Sequence, residues 1–350
     1  MIRLFLGGFA FVFLLNFAFA QSQPLPQPPE LVIYTYDSFV APEGLGPAIF
    51  PIFEKQNRCR VRALASGDGA QILTRLELDA RRGKPTAQLV VGIDQPLWER
   101  AKPWLESWGN WSPNGYSRLS SELKIEQGFL PYDYGVLALM ADQDVLRELG
   151  LKAPVSLSDL LNSEWKRNII LQDPRTSTPG LAFLLFTRSV FGNSVWDFWK
   201  KFRSQWLTLT PGWDKSYGLF LKKEAPLVWS YLTSQAYHEE HGDKNDSKRR
   251  YSAVIFQEGQ PVQIEGAAWV KGGIRSSQER DLAKKFLEFL ITPEVQKLIP
   301  QKTWMMPVQK NVVLPKSFKN LPKPVKWIST FAQSKDIEES LSQWSRIVGR

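Results

Sequence analysis

The chain has almost no cysteine and almost no histidine: one Cys and two His in 350 residues. A lone Cys59 excludes an internal disulfide, so the fold has to be held by apolar cores of adequate size. Cys59 itself reads as a small packed side chain rather than a reactive thiol. The two histidines, His238 and His241, stand three apart, a spacing that can bring two imidazoles to one side of a helix. No third His and no second Cys is present to complete a metal set, and Glu239 and Glu240 between them read as a solvated surface. After residue 20 no apolar run approaches the length needed to cross a bilayer. Internal repeats and low-complexity segments are also missing. The formal charge is +9, but Lys and Arg are spread along the chain. The one cluster, Asp246 to Arg250, follows an acidic stretch, so nothing marks a nucleic-acid surface.

What is present begins with an export signal. Arg3 supplies the positive end, Leu4 to Leu15 is nearly all apolar, and Ala18-Phe19-Ala20 is a small-x-small cleavage site. Cleavage after Ala20 leaves a mature chain of 330 residues with a formal charge of +8, since Arg3 is lost. That length predicts about two domains. The expected location is the periplasm. No Cys follows the cleavage site, so lipid anchoring is not suggested. Residues 21–30, with four prolines, form a linker.

The remainder alternates short β-branched runs with amphipathic ones. Strands are expected at 31–36, 60–64 and 88–93, with helices over 47–57 and after Asp68, where Ile72, Leu73, Leu76 and Ala80 share a face. This order predicts a parallel sheet covered on both faces, in which ligands gather at the carboxyl ends of strands. Tyr36, Asp37, Asp68 and Asp94 fall at such ends. Tyr34 shares a face with Tyr36 but lies farther from the end, so only Tyr36 is a site candidate. The strand expected over 136–140 crosses to a second alternating unit with strands at 168–172, 206–210 and 227–231. Residues 251–256 and 262–269 return, helices follow over 280–291 and 293–299, and the last helix covers about 335–347. The resulting division is 31–130 for the first lobe, 131–257 for the second, and 258–350 for a return to the first lobe plus the C-terminal helix. The expected fold class is α/β, two lobes around a cleft.

The most informative stretch is Leu171 to Leu181. A buried strand ends, and a long apolar helix starts with Thr178 as N-cap, Pro179 at the first helical position and Gly180 open to close approach. The free amides at such a start suit an anion or a polar ligand group. An ordinary strand–helix joint has the same chemistry. Of the 14 tryptophans, Trp196, Trp199 and Trp206 sit at packing intervals. Trp213 and Trp304 differ, because each stands at a turn beside Gly or Pro.

Several stretches carry a resemblance: Tyr34 to Phe39, Asp68-Gly69, Gly92 to Asp94, Tyr132 to Gly135, Gln172 to Leu181, Gly212-Trp213, Tyr217 to Lys222, Ser230-Tyr231, Ala236 to His238 and Trp304-Met305. Together they span nearly all of the mature chain in order, and the run 172–181 is specific. The chain resembles the thiamine-binding periplasmic proteins of ABC importers, in the type II periplasmic binding protein fold shared with ferric-ion and polyamine receptors. The resemblance implies ligand contacts at Asp68, Gly69, Ser177, Thr178, Trp213, Tyr231, Thr233, Ser234, Tyr237 and Trp304, with Tyr36 added from its strand position. It implies no cofactor, and partnership with the permease and ATPase of an importer, acting as a monomer. Thiamine is a flat thiazolium cation joined to an aminopyrimidine and a hydroxyethyl arm. Aromatic faces suit the rings, a carboxylate suits the charge, and hydroxyls with a helix start suit the arm or its phosphates. Arg175 either meets a phosphate or braces Asp173.

Three departures stand out. Gly67 replaces an acidic residue, Leu232 a small polar one and Trp229 a smaller one, which leaves the preference among thiamine and its phosphates open. The alternatives are the same fold with another ligand, or an enzyme. A ferric site wants paired tyrosines, and Tyr231 is followed by Leu232. A polyamine site wants several carboxylates, for which Asp68, Asp37 and Asp94 are the candidates. An esterase-type enzyme wants Ser177 in a Gly-x-Ser-x-Gly elbow, which it is not, and a histidine base, for which only His238 is available.

Overall fold

The computed structural model describes residues 28–242 and 250–348. The export signal, most of the linker and most of the Asp246 to Arg250 cluster lie outside the described residues.

Twelve strands lie among the described residues: β1 Glu30–Thr35, β2 Arg60–Ala65, β3 Leu89–Asp94, β4 Leu105–Glu106, β5 Leu130–Asp142, β6 Ile169–Gln172, β7 Trp206–Thr210, β8 Leu227–Tyr231, β9 Tyr251–Val254, β10 Gln260–Val270, β11 Met306–Pro307 and β12 Trp327–Ser329. The main path runs β2-β1-β3-β10-β5-β8-β6-β7. At one end β1 pairs in parallel with β2 and β3, and β10 runs antiparallel to β3. At the other end β6 pairs in parallel with β7 and β8. β5 belongs to both halves. Its first part, Leu130–Val136, pairs with β10, and its second, Leu137–Asp142, pairs with β8 and β9. Parallel strands need crossover helices. Leu45–Asn57 and Gly69–Arg81 supply them in the first half. Thr178–Phe191 and Trp213–Leu221 do so in the second.

Each half has its own core. In the first, Ile33, Leu89 and Val91 pack with Phe53, Phe286 and Trp269. In the second, Leu139, Ile169 and Leu227 pack with Phe183, Trp199 and Trp229. The C-terminal helix Ser334–Val348 buries Trp344 in this second core, edge-on to Trp199 at 5.9 Å. Arg188 holds it by donating to the Asp336 carbonyl at 2.8 Å. Ser158–Leu161 forms a single 3-10 turn and not a longer helix. Its apolar residues are too few to propagate a helix once nucleated.

Candidate ligand-binding cleft

The carboxyl ends of strands from both halves converge on one cavity of about 660 Å³. β1 leads into Tyr36 and Asp37, and β2 into Gly67 and Asp68. From the other half β7 leads into Gly212 and Trp213, and β8 ends in Tyr231 before Thr233 and Ser234. Turns at strand ends carry these residues because the ladder terminates there and leaves the side chains free to face the cleft.

Asp68 caps the helix Gly69–Arg81. Its Oδ1 accepts from the Gly69 amide at 2.7 Å, and Gln71 Oε1 accepts from the Asp68 amide at 3.0 Å, a complete capping box. Gly69 does not line the cavity. It sits where the halves touch, and a methyl group there would lie 2.6 Å from Thr178 Cγ2. Across the interface the helix Thr178–Phe191 starts one residue earlier than its sequence pattern suggests. Ser177 is the N-cap, and Thr178 and Pro179 occupy the first two helical positions. Pro is accepted at either of these, since neither amide has an intrahelical partner. The group that approaches Gly180 is the chain itself. An added methyl there would meet the Gln172 carbonyl at 2.6 Å, so glycine seats the helix on the end of β6.

Thr178 lines the cavity, whereas Ser177 is buried just behind it. Ser177 Oγ and Thr233 Oγ1 are both buried without a hydrogen-bond partner. Such hydroxyls cost about 1–3 kcal/mol if left unpaired, which favours a ligand that bonds to them. Ser177 is still near enough to Asp68 to help hold its carboxyl down, although burial wins and pushes Asp68 up to about 6. Ser234 Oγ lies 2.9 Å from Ser230 Oγ, and Ser230 in turn accepts from Trp213 Nε1 at 2.8 Å.

Aromatic rings face the cavity from its second-half side and lip. Trp213 stacks on Tyr217 at 4.8 Å and lies 6.5 Å from Tyr231. Tyr231 donates to Gln263 Oε1 at 3.0 Å. Tyr237 meets Trp304 edge-on at 5.0 Å and stacks on His241 at 4.6 Å. Trp304 itself has a φ of 55°, a left-handed backbone uncommon for a bulky residue, which turns its ring to the lip. His238 stands behind Tyr217, sharing a hydrogen bond with its hydroxyl at 2.8 Å, and burial keeps it neutral down to about pH 4.

The main residue that the sequence reading missed is Glu265. It lines the cavity from β10 and accepts from Tyr132 at 2.8 Å, Tyr36 at 3.0 Å and Gln263 at 2.9 Å. The signal was available: Glu265 is the single charge inside the otherwise uncharged run from Val262 to Trp269. Asp214, Lys215, Tyr217 and Lys302 also line the cavity and were not anticipated. With Asp37 and Asp68 the walls carry four carboxylates against two lysines. The cavity is therefore acidic inside a basic protein.

Arg175 turns inward on its own loop. It bonds Asp173 through Nε at 2.9 Å and lies over the Trp344 ring at 5.4 Å. The three departures also find places. Trp229 is fully buried, donates to the Pro179 carbonyl at 2.9 Å, and so braces the start of the cleft helix from beneath. Leu232 is core, and Gly67 is a left-handed turn with a φ of 70°.

The sequence profile of a family described as bacterial extracellular solute-binding proteins matches residues 107–330. A thiamine-binding periplasmic protein of Brucella abortus is 42% identical over 301 residues, 85% of each chain. One from Salmonella typhimurium is 38% identical and covers 92% of this chain and 94% of its own. The chain belongs to the thiamine-binding periplasmic protein family of bacterial extracellular solute-binding proteins. A solved periplasmic thiamin binding protein superposes on it with a TM-score of 0.78 at 34% identity, over 94% of this chain and all of that one. The two-lobe architecture of this family accounts for the crossing strand β5 and for a cavity between two independent cores. The fold is that of a type II periplasmic binding protein.

Proposed function

We propose that this protein binds thiamine, or a thiamine phosphate, in the cleft between its lobes and hands it to a membrane importer of the ABC type. The observation that carries the proposal is the wall of aromatic faces set against carboxylates. Trp213, Tyr231, Tyr237 and Trp304 line the cavity. They offer stacking and cation–π contacts, each worth about 0.5–2 kcal/mol when water is excluded. Asp68 and Glu265 face the cationic ring, which offsets the repulsion expected from a positively charged chain. Thr178 and Thr233, with Ser177 behind them, receive the hydroxyl or phosphate end at the helix start. The names of the relatives support the ligand. Opening and closing proceed by bending at β5, whose two halves belong to different lobes, and ligand contacts to both lobes favour the closed form. The protein acts as a carrier and not as an enzyme. It is exported by a cleaved signal to the periplasm, in line with the relatives' names. Among the described residues no helix is long and apolar enough to cross a membrane.

The test is direct. The mature chain is unfolded and refolded to strip ligand, then titrated with thiamine, its monophosphate and its diphosphate while tryptophan fluorescence is followed. A saturable change with at least one of them is expected. No response to any of the three overturns the proposal.

A further inference from the structure

Three neighbouring strands bring three carboxylates into one row under the cavity. In the ladder Glu265 of β10 is paired with Asp94 of β3 on one side and with Asp133 of β5 on the other. All three are buried. Their hydrogen bonds come from neutral groups: two tyrosine hydroxyls and the Gln263 amide to Glu265, and the Leu97 amide to Asp94 at 3.0 Å. Asp94 Oδ2 and both oxygens of Asp133 accept no hydrogen bond. Thr303 faces Asp133, but its hydroxyl is directed to the Ile299 carbonyl at 3.1 Å.

The titratable groups facing Glu265 from every side are Tyr36, Tyr132, Tyr231, Asp68, Asp94 and Asp133. None carries positive charge. Arg100, on the helix after β3, acts on Asp94 through space, and Lys302 on the cavity wall lies 3.5 Å from Glu43 instead. Adjacent carboxylates in an apolar setting without a partner charge do not all ionise. Burial and mutual repulsion raise all three, Asp94 up to about 7. Among the described residues no group of three or more His, Cys, Asp or Glu is placed to hold a metal ion. The charge that this row lacks therefore has to come from protons or from a ligand.

We propose that the Asp94–Glu265–Asp133 row is the charge-selecting floor of the cleft, retaining a proton when no ligand is bound and releasing it to solvent when a permanently cationic ring sits against Glu265. The proposal rests on the thiamine reading. A thiazolium nitrogen is quaternary and cannot shed its charge, so its field acts on the row as long as it is bound. One carboxylic acid O–H bond breaks, the proton passes to buffer, and no other bond changes. Binding tightens as pH rises through the range in which the unliganded row loses its proton, and weakens in acid. The row also discriminates against neutral molecules of the same shape.

Calorimetric titration of the refolded protein at pH 6.5 in two buffers of different ionisation enthalpy counts the protons. The ligands are thiamine and its neutral thiophene isostere, 3-deazathiamine. Both carry the same aminopyrimidine, so any proton exchange at that ring cancels between them. Thiamine is expected to release more protons than the isostere, and to bind about tenfold or more tightly. In Glu265→Gln both differences are expected to shrink. Equal proton counts for the two ligands, with thiamine still binding, overturn this inference and leave the thiamine reading intact. No binding of thiamine overturns both. The wild-type comparison stands alone if the variant does not fold.

Discussion

Replacing Asp94 with asparagine tests the electrostatics of the cleft floor in the ligand-free protein. Asp94 is buried, its Oδ1 caps the following helix by accepting from Leu97, and its Oδ2 has no partner. Burial raises its pKa from 3.8 to about 7. An unfolded chain ionises this group near 4, whereas the folded protein keeps it protonated until about 7. Between those values the folded state holds the extra proton, so the contribution to stability is complete at low pH and is lost as pH rises through about 7. A shift of about three units at 1.36 kcal/mol each makes the loss about 4 kcal/mol by pH 8, an order of magnitude for a buried carboxyl. The Asp94→Asn substitution keeps the capping oxygen and carries no titrating proton. Its effect on packing is the same at pH 4.5 and pH 8, so the quantity to read is the difference between the two. His238 also contributes, with stability falling as pH drops from 6.5 toward its folded pKa of about 4. The comparison cancels this term, because both proteins keep His238. Urea unfolding at the two pH values should show the wild type losing about 2–4 kcal/mol more than Asp94→Asn on going to pH 8. Parallel pH profiles for the two proteins would refute the argument.

Two further outcomes concern the ligand directly. Trp213→Ala should weaken thiamine binding by about tenfold or more, about 1.4 kcal/mol, while Trp213→Phe retains most of the ring face and loses only the bond to Ser230. Calorimetric affinities within about twofold of the wild type for the alanine variant would remove Trp213 from the site. Asp68→Asn separates the two roles of that residue. Asparagine caps as well as aspartate, so melting should show stability held to within about 1 kcal/mol while thiamine affinity falls. Unchanged affinity would reduce Asp68 to a helix cap.

Much of the cleft was legible along the chain, for a local reason. Residues at strand ends are marked by the change from apolar runs to turn chemistry, and Tyr36, Asp68, Trp213, Thr233 and Ser234 were found that way or through the family motifs that share those turns. Glu265 was not found because it lies in the middle of a strand, where a pattern reading assigns residues to the core. Its role depends on Asp94 and Asp133, which are 171 and 132 residues away in sequence and adjacent only through the ladder. The Thr178 assignment erred by one residue because Ser177 and Thr178 can both cap a helix, and proline is accepted at either of the first two helical positions. Trp229 read as a departure bearing on the preference among thiamine and its phosphates. Its indole instead points into the second core and acts on the cleft only through the Pro179 carbonyl.

The amino-acid order by itself determined the alternation of strands and helices, the family, and the turns that carry aromatic and hydroxyl groups. These follow from period, capping and turn chemistry, which act over a few residues. The tertiary structure alone decided that the cavity is acidic within a basic protein, that two hydroxyls at the cleft are buried without partners, and that the C-terminal helix closes the second core. Each of these depends on distance in space. Burial and the close approach of like charges set the energy of a side chain, and neither can be counted along the sequence.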